Sequence, residues 1–281
     1  MTVSPREVPR VLSIAGTDPS GGAGLHADLK SIAAAGGYGM GVVTALVAQN
    51  TCGVRAVHTP PLDFLREQLA SVTDDVAIDA VKIGMLGDPQ ITEVVSDWLV
   101  ANKPPIVVLD PVMVATSGDR LLTADAEEAM RELVVTAGDV SEIGVITPNI
   151  PELAVLVKDA PAQTIEEAVK QGEQVLGSTK ASVLVKGGHL SSQALTDYLL
   201  RHDCEPAHFL HPMVETKNTH GTGCSLSSGL ATRIAQSGDL VKACQLTIDW
   251  LYEAILHADL LEVGEGHGPV FHGWETAPCC Q

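Results

Sequence analysis

Short apolar runs alternate with amphipathic stretches along most of this chain, and that alternation most constrains its fold. The runs are rich in Val, Ile and Leu, whereas the stretches between them carry apolar residues at helical spacing, for example Leu25, Leu29 and Ile32. Strands that lack a polar face are typical of parallel sheets covered on both sides. We therefore predict an α/β fold with a mostly parallel central sheet and helices on both of its faces.

The same pattern gives the predicted elements. Strands are expected at residues 11–15, 42–48, 80–83, 106–109, 144–147 and 182–185. Helices are expected at residues 23–35, 62–72, 91–100, 124–135, 165–176, 225–236 and 240–258, and Thr164 with Glu167 forms a capping box before the fifth. Segments 195–200 and 207–210 flank a polar turn, which predicts an appended hairpin at one sheet edge. Since no linker interrupts the pattern, we predict one domain at 10–261, between loose tails at 1–9 and 262–281.

Composition narrows the class of partner. Aromatic residues make up only 3% of the 281 residues, so the core must be aliphatic. No apolar run reaches membrane-spanning length and the N-terminus has no apolar signal core, so we expect a cytoplasmic protein without a membrane partner. The net charge of −18 argues against a nucleic-acid surface. It leaves room for a small phosphate ligand in a locally positive pocket.

The cysteines do not suggest a disulfide framework. All six are scattered, and no Cys-x-x-Cys pair occurs. His202, Cys204, His208 and His211 could be read as a zinc site, but the apolar residues that alternate with them favour a hairpin. Cys279-Cys280 falls in the expected loose tail, where we assign it no role.

One motif suggests anion binding. Residues 219–224, Thr-His-Gly-Thr-Gly-Cys, lead directly into a predicted helix. Small residues let the backbone approach a ligand, and the free amides and dipole of a helix N-terminus favour negative charge. Cys224 is expected on the first helical turn, where the pKa of a thiol tends to fall. The alternative is an ordinary tight turn.

Other polar residues follow the predicted strands, where ligands bind in open α/β sheets. The segments are 16–24, Gln49-Asn50, 84–86, 110–113, 148–152 and 186–189. No Walker A motif, protein-kinase signature or Gly-x-Gly-x-x-Gly dinucleotide motif is present. A nucleotide would therefore be held in another way.

Taken in order, these motifs resemble a known family. The matching segments are 16–24, 27–30, 44–51, 82–86, 110–113, 147–149 with Glu152, 185–189 and 219–224. They resemble hydroxymethylpyrimidine/phosphomethylpyrimidine kinase, a ribokinase-like enzyme of thiamine biosynthesis. The resemblance implies that ATP phosphorylates 4-amino-5-hydroxymethyl-2-methylpyrimidine to its monophosphate and then to the diphosphate. It also implies Mg²⁺ as cofactor and suggests a homodimer.

The resemblance assigns phosphate and metal roles. The amides of Gly221, Thr222, Gly223 and Cys224 would hold the transferred phosphoryl group, and Lys186 would lie near the nucleotide phosphates. The alternative for Lys186 is a surface lysine at a turn.

Asp110 and Glu152 are the expected metal ligands, because carboxylates and phosphates suit Mg²⁺. Asn149 would act with Glu152 on the metal and phosphate through water. The alternatives are a strand-ending turn for Asp110 and helix capping for Asn149 and Glu152.

Three residues are candidates for the pyrimidine site. The amide of Gln49 presents a donor and an acceptor in one plane, which matches the 4-amino group and its neighbouring ring nitrogen. Met85 and Val112 would supply apolar walls, with core packing as the alternative for Met85.

Cys224 stands where many ribokinase-like sugar kinases carry an aspartate base. We hypothesise that a neutral thiol avoids repelling the phosphate monoester accepted in the second step, and that in the first step it acts as a weak base. Thr116 stands where many relatives have a lysine, so no phosphate role passes to that position. Its loop could still serve as a flap.

Three other functions remain open. A pyridoxal kinase of the same superfamily is the nearest. A thiol hydrolase or acyltransferase that uses Cys224 with His220 has no evident orienting acid. A non-catalytic pyrimidine-binding protein would not need the intact phosphate motifs.

Overall fold

The centre of the fold is a sheet whose strands explain the apolar runs. The computed structural model describes residues 4–113, 123–188 and 194–277. Within them the strands are β1 (Arg10–Ala15), β2 (Tyr38–Val43), β3 (Leu46–Asn50), β4 (Gly53–His58), β5 (Ala80–Ile83), β6 (Ile106–Leu109), β7 (Ile143–Ile146), β8 (Ser182–Val185), β9 (Ala194–Leu200) and β10 (Ala207–Pro212). Eight of these described strands form one sheet in the order β10-β9-β8-β7-β6-β5-β1-β2, and β3 pairs with β4 outside it.

The main sheet is parallel from β2 to β8, and β9 and β10 are antiparallel. β9 and β10 form a hairpin at one edge of the sheet. The mostly parallel sheet and the edge hairpin predicted from the sequence are therefore confirmed.

Helices cover both faces of this sheet. They are α1 (Gly24–Ala34), α2 (Leu62–Thr73), α3 (Pro89–Asn102), α4 (Ala124–Val140), α5 (Ile150–Val157), α6 (Ile165–Leu176), α7 (Thr222–Ser237) and α8 (Leu240–Leu256). Sheet side chains alternate between two cores: Leu12 and Ile14 join the core of α2 to α6, whereas Val11 joins the core of α1, α7 and α8. Because strands such as β6 are buried on both faces, they carry no polar alternation.

Polar residues fix several helix starts. Asp88 accepts hydrogen bonds from the first amides of α3, and Asp239 accepts one from an amide of α8. The Thr164 hydroxyl accepts from the Glu167 amide at the start of α6, as predicted. The Glu167 carboxylate accepts from the Gln163 amide instead of the Thr164 amide, so the reciprocal bond reaches one residue further back.

The predicted strand at 42–48 is wrong. β2 ends at Val43, and Thr44 turns the chain so that its amide bonds to the Ala15 carbonyl and its hydroxyl to the Met85 carbonyl. β3 then leaves the sheet and pairs with β4. Val47 is buried while Leu46 is exposed, so the run belongs to a half-exposed hairpin. β4 and the short helix α5 were not predicted.

The chain ends pack differently from the expected loose tails. Val270 and His272 are 1% and 7% exposed, and the Phe271 amide donates to the Ala254 carbonyl. The prediction of a loose tail at 262–281 is therefore wrong for residues 268–272, which are buried or half-buried beside α7 and α8, whereas residues 262–265 and 267 are exposed. Cys279 and Cys280 lie outside the described residues. Near the other end residues 4–8 are exposed, although the Arg6 amide donates to the Ala235 carbonyl.

Candidate active site

The start of α7 lies opposite the carboxyl ends of the parallel strands. Gly221 is its N-cap with φ +81°, and a Cβ there would collide with the Gly22 carbonyl. A Cβ built on Gly223 would lie 3.3 Å from Asp110 Oδ2 and 3.4 Å from Lys186 Nζ. The first helical amides have no intrahelical acceptor, so the predicted anion cradle faces both of these charged groups.

Three of the predicted residues meet beside this cradle. Lys186 Nζ lies 2.9 Å from Asp110 Oδ1 and 3.9 Å from Glu152 Oε2. The Thr147 hydroxyl also donates to Asp110 Oδ1, at 3.1 Å. Burial alone would lower the pKa of Lys186, but the two carboxylates outweigh it and the pKa is raised. Lys186 is therefore a cation at neutral pH, and the surface-lysine alternative is wrong, since its side chain is only 15% exposed.

Glu152 has a structural role that is directly visible. Its carboxylate accepts from the Asn149 amide at 2.8 Å, and the Asn149 side chain accepts from the Glu152 amide at 2.9 Å. This capping box starts α5. Burial raises the pKa of Glu152 to about 7, Lys186 opposes that rise and Asp110 adds to it.

Cys224 lies on the first turn of α7, as predicted, but its thiol is not acidic. Burial raises its pKa to about 11; Lys82 opposes this rise, while Asp28 and Asp110 add to it. The expected fall in pKa at a helix N-terminus is therefore wrong, because loss of solvent around the sulfur and the two nearby carboxylates raise the pKa more than Lys82 lowers it. At neutral pH Cys224 presents a neutral thiol.

The three pyrimidine candidates come from three segments at the same end of the sheet. Gln49 is half-buried on β3, and its side chain lies close enough to the Asp18 carboxylate to help lower the pKa of that group. Met85 follows β5 and packs against Gly16, where a Cβ would lie 2.7 Å from Met85 Cε. Val112 is half-buried after β6. Their roles toward a ligand stay predictions.

Two buried acids were missed by the sequence reasoning. Asp18 is fully buried and accepts from His220 Nε2 at 2.8 Å and from Ser20, so its pKa is well below the usual range although burial opposes that shift. It ties the loop after β1 to the cradle. The sequence clue to Asp18 was its position within the 16–24 motif.

The second acid, Asp28 on α1, pairs with Lys82 on β5. Lys82 Nζ lies 2.8 Å from both carboxylate oxygens, and both side chains are fully buried. Ser13 and Ser228 each donate to the same carboxylate at 2.6 Å. The sequence clue to this pair was a lysine within an otherwise apolar strand, because a buried charge needs a partner of opposite charge.

The zinc alternative finds no support. His202 contacts the Thr179 carbonyl, His211 stacks on Tyr252, and Cys204 is exposed. Across 4–113, 123–188 and 194–277, no group of three or more His, Cys, Asp or Glu is placed to hold a metal ion. In the same ranges no helix has both the length and the apolar character to cross a bilayer. Thr116 lies outside the described residues.

Comparison with known proteins places this site in a family. The family model for phosphomethylpyrimidine kinase matches residues 18–271. A multifunctional thiamine-biosynthesis protein of Corynebacterium glutamicum is 54% identical over 96% of this chain, but the chain spans only 35% of that relative. A hydroxymethylpyrimidine/phosphomethylpyrimidine kinase of Salmonella typhimurium is 47% identical, with 94% of this chain and 97% of the relative covered.

Among solved structures, an ADP complex of Bacillus subtilis pyridoxal kinase superimposes with a TM-score of 0.85. It is 29% identical, and the match covers 95% of this chain and 98% of that one. The fold is thus the ribokinase-like fold that the sequence predicted. With the cradle, the lysine and the strand-end carboxylates in place, the chain belongs to the phosphomethylpyrimidine kinase family.

Proposed function

We propose that the protein uses ATP to phosphorylate 4-amino-5-hydroxymethyl-2-methylpyrimidine, and then phosphorylates the monophosphate to the diphosphate. The observation that carries this proposal is the approach of Gly223 at the start of α7 to Asp110 and Lys186. Phosphoryl transfer depends on positioning and charge stabilisation more than on covalent help from the protein. This arrangement supplies both.

The cradle would hold the transferred group. The amides at positions 221–224 would hold it beside Lys186, whose Nζ lies 3.4 Å from the Cβ position of Gly223. Lys186 adds a full positive charge that two carboxylates keep in place. Thr222 occupies the first helical position, and its amide donates to the Thr219 carbonyl at 3.3 Å, so its role in phosphate binding stays a prediction.

The residues beside Lys186 fit a magnesium ion. Asp110 and Glu152 offer hard oxygen ligands. Their carboxylates lie 2.9 Å and 3.9 Å from Lys186 Nζ, so both already face the same positive charge. Mg²⁺ commonly binds through one or two carboxylates plus substrate phosphates, and when bound it neutralises phosphate charge. Asn149 would keep Glu152 in place through the capping box.

The acceptor would bind beside β3. The Gln49 amide can pair with the 4-amino group and the adjacent ring nitrogen, with Met85 and Val112 against the ring. A homodimer, which the family resemblance suggests, remains a prediction.

The neutral Cys224 thiol suits the second reaction. A phosphate monoester is already ionised and needs no base, and a carboxylate at position 224 would repel it. In the first reaction a thiol with a pKa of about 11 supplies little thiolate at neutral pH. The first step would therefore depend on alignment of the hydroxyl more than on base catalysis by sulfur.

The experiment follows ATP, Mg²⁺ and the pyrimidine by phosphorus NMR, with pyridoxal in a parallel tube. We expect the monophosphate and then the diphosphate to accumulate; phosphorylation of pyridoxal alone would overturn the proposal in favour of the pyridoxal kinase alternative. That alternative is retained because of the likeness to the Bacillus subtilis enzyme.

Variants at position 224 test the thiol argument. Cys224→Asp should impair the second step more than Cys224→Ala does, and Cys204→Ala, at an exposed cysteine, is the matched control. If Cys224→Asp leaves the second step undiminished, the repulsion argument fails. A hydrolase that used Cys224 as nucleophile would instead give an acyl-enzyme mass shift, which the neutral thiol argues against.

A further inference from the structure

The C-terminal segment 264–272, here called the strap, contacts two parts of the site that are far apart in sequence. At the cradle, the His220 amide donates to the Gly268 carbonyl at 3.0 Å. His272 Nε2 lies 2.9 Å from Ser225 Oγ, and that hydroxyl donates to the Gly221 carbonyl at 2.8 Å. The strap therefore holds the N-cap turn of α7.

The other end of the strap holds the β3–β4 hairpin. The His267 amide donates to the Thr51 carbonyl at 3.0 Å, and the Gly266 amide donates to Thr51 Oγ1 at 3.2 Å. A Cβ at Gly266 would collide with the Thr51 carbonyl, so the two backbones are in direct contact. Thr51 directly follows β3, the strand that carries Gln49.

The strap is itself fixed to the body of the protein. Val270 is 1% exposed, and the Phe271 amide donates to the Ala254 carbonyl of α8 at 2.9 Å. Lys217 Nζ donates to the Glu265 carbonyl at 3.2 Å. Because the strap is anchored in this way, it can hold the cradle and the hairpin at a fixed distance from each other.

The hairpin needs such a support. It lies outside the main sheet, and every residue of β4 is exposed. An isolated two-stranded hairpin is marginally stable in water. The Val47 amide donates to Thr17 Oγ1 at 3.1 Å and so holds the start of β3 to the loop after β1. Without its contacts to the strap, the turn end of the hairpin at Thr51 could pivot relative to the cradle.

We propose that the strap is a positioning element for phosphoryl transfer, which sets the distance between the cradle and the hairpin that would bind the acceptor. The inference rests on the proposed function. Alignment of this kind affects turnover more than ground-state binding, and small displacements can reduce rates by about a hundredfold. The strap residues would thus act on kcat without touching either substrate.

The test breaks the strap at each end. Thr51→Val removes the hydroxyl bonded to Gly266, and His272→Phe removes the bond to Ser225 while keeping a ring near Trp250. We expect each to lower kcat about tenfold or more, with KM for ATP and for the pyrimidine within about twofold. The double variant should be no more than about threefold worse than the worse single variant, because one broken end already releases the strap.

A matched control lies just beyond the strap. Thr276→Val also removes a threonine hydroxyl, which here donates to the Gly273 carbonyl, and it should leave kcat unchanged. If His272→Phe does not fold, Ser225→Ala breaks the same contact from the other side. Kinetic losses that multiply in the double variant, or that appear in KM alone, would refute the positioning role.

Hydrogen exchange gives a readout that does not depend on turnover. In Thr51→Val the amides at 219–224 should exchange at least about threefold faster than in the wild type, although Thr51 lies on another element. Thr276→Val should leave them unchanged. Unaltered exchange at the cradle would overturn the strap proposal, whereas absence of wild-type turnover would count only against the proposed kinase function.

Discussion

The buried ion pair between Lys82 and Asp28 gives the sharpest stability prediction. Both side chains are fully buried beneath the cradle, 2.8 Å apart, between β5 and α1. Lys82→Met keeps the length of the side chain and removes its charge. Asp28 would then be a buried carboxylate whose hydrogen-bond partners, among the described residues, are the hydroxyls of Ser13 and Ser228.

The expected loss is large for that reason. Breaking a buried pair by removing one partner destabilises a protein by about 3–5 kcal/mol, whereas replacing both charges is often close to neutral. For a domain of this size such a loss lowers Tm by about 10 °C. Adding Asp28→Asn to Lys82→Met should restore most of the stability, because an amide can keep the contacts to both serines.

Urea unfolding of the two single variants, the double variant and the wild type provides the measurement. Lys180→Met is the matched control: Lys180 also lies 2.8 Å from a carboxylate, that of Asp139, but the lysine side chain is 77% exposed. Its loss should stay within about 0.5 kcal/mol. A single Lys82→Met that loses under about 1 kcal/mol, or a double variant as unstable as the worse single, would refute the reasoning.

Three further outcomes follow from the site. Burial, with a smaller effect of Lys30, lowers the pKa of His272 to about 4 from 6.5, so the unfolded chain takes up a proton first as the pH falls. The stabilisation from neutral His272, about 3 kcal/mol, is complete above pH 6.5 and is lost as the pH falls toward 4, and urea unfolding of His272→Phe should lack this slope. Gly221→Ala should reduce kcat at least about a hundredfold, since its Cβ would collide with the Gly22 carbonyl, whereas Gly177→Ala, where a Cβ has ordinary contacts, should not; equal effects would contradict the cradle geometry. Iodoacetamide at pH 8 should modify Cys224 at least about tenfold more slowly than the exposed cysteines, read by peptide mass, because of its pKa of about 11; an equal rate would show that the thiol is not desolvated.

Much of the fold could be predicted because burial acts locally on residue choice. The strands at 80–83, 106–109 and 182–185 and the helix at 165–176 have the predicted bounds. Each is either apolar throughout or has one clear apolar face. The strand at 42–48 failed because the turn at Thr44 depends on hydrogen bonds to Ala15, which ends β1, and to Met85, which follows β5.

Some residues of the candidate site could likewise be predicted from the sequence, and others could not. Asp110, Lys186 and Glu152 could be found because strand ends of a parallel sheet meet at one edge. The proximity of Asp18 to His220 could not, since the two residues are separated by 202 positions. The pKa of Cys224 was predicted to fall, but it is raised. Desolvation of the sulfur depends on how neighbouring elements cover it, which the local sequence does not show.

By itself the sequence determined the fold class, the edge hairpin and the motifs of the cradle, because strand and helix periodicity and glycine spacing are local properties of the chain. Tertiary structure alone decided that the strap bonds to both the hairpin and the cradle, that Lys82 pairs with Asp28, and that Cys224 stays protonated. Those features depend on contacts between distant segments and on exclusion of water, which no local pattern of residues encodes.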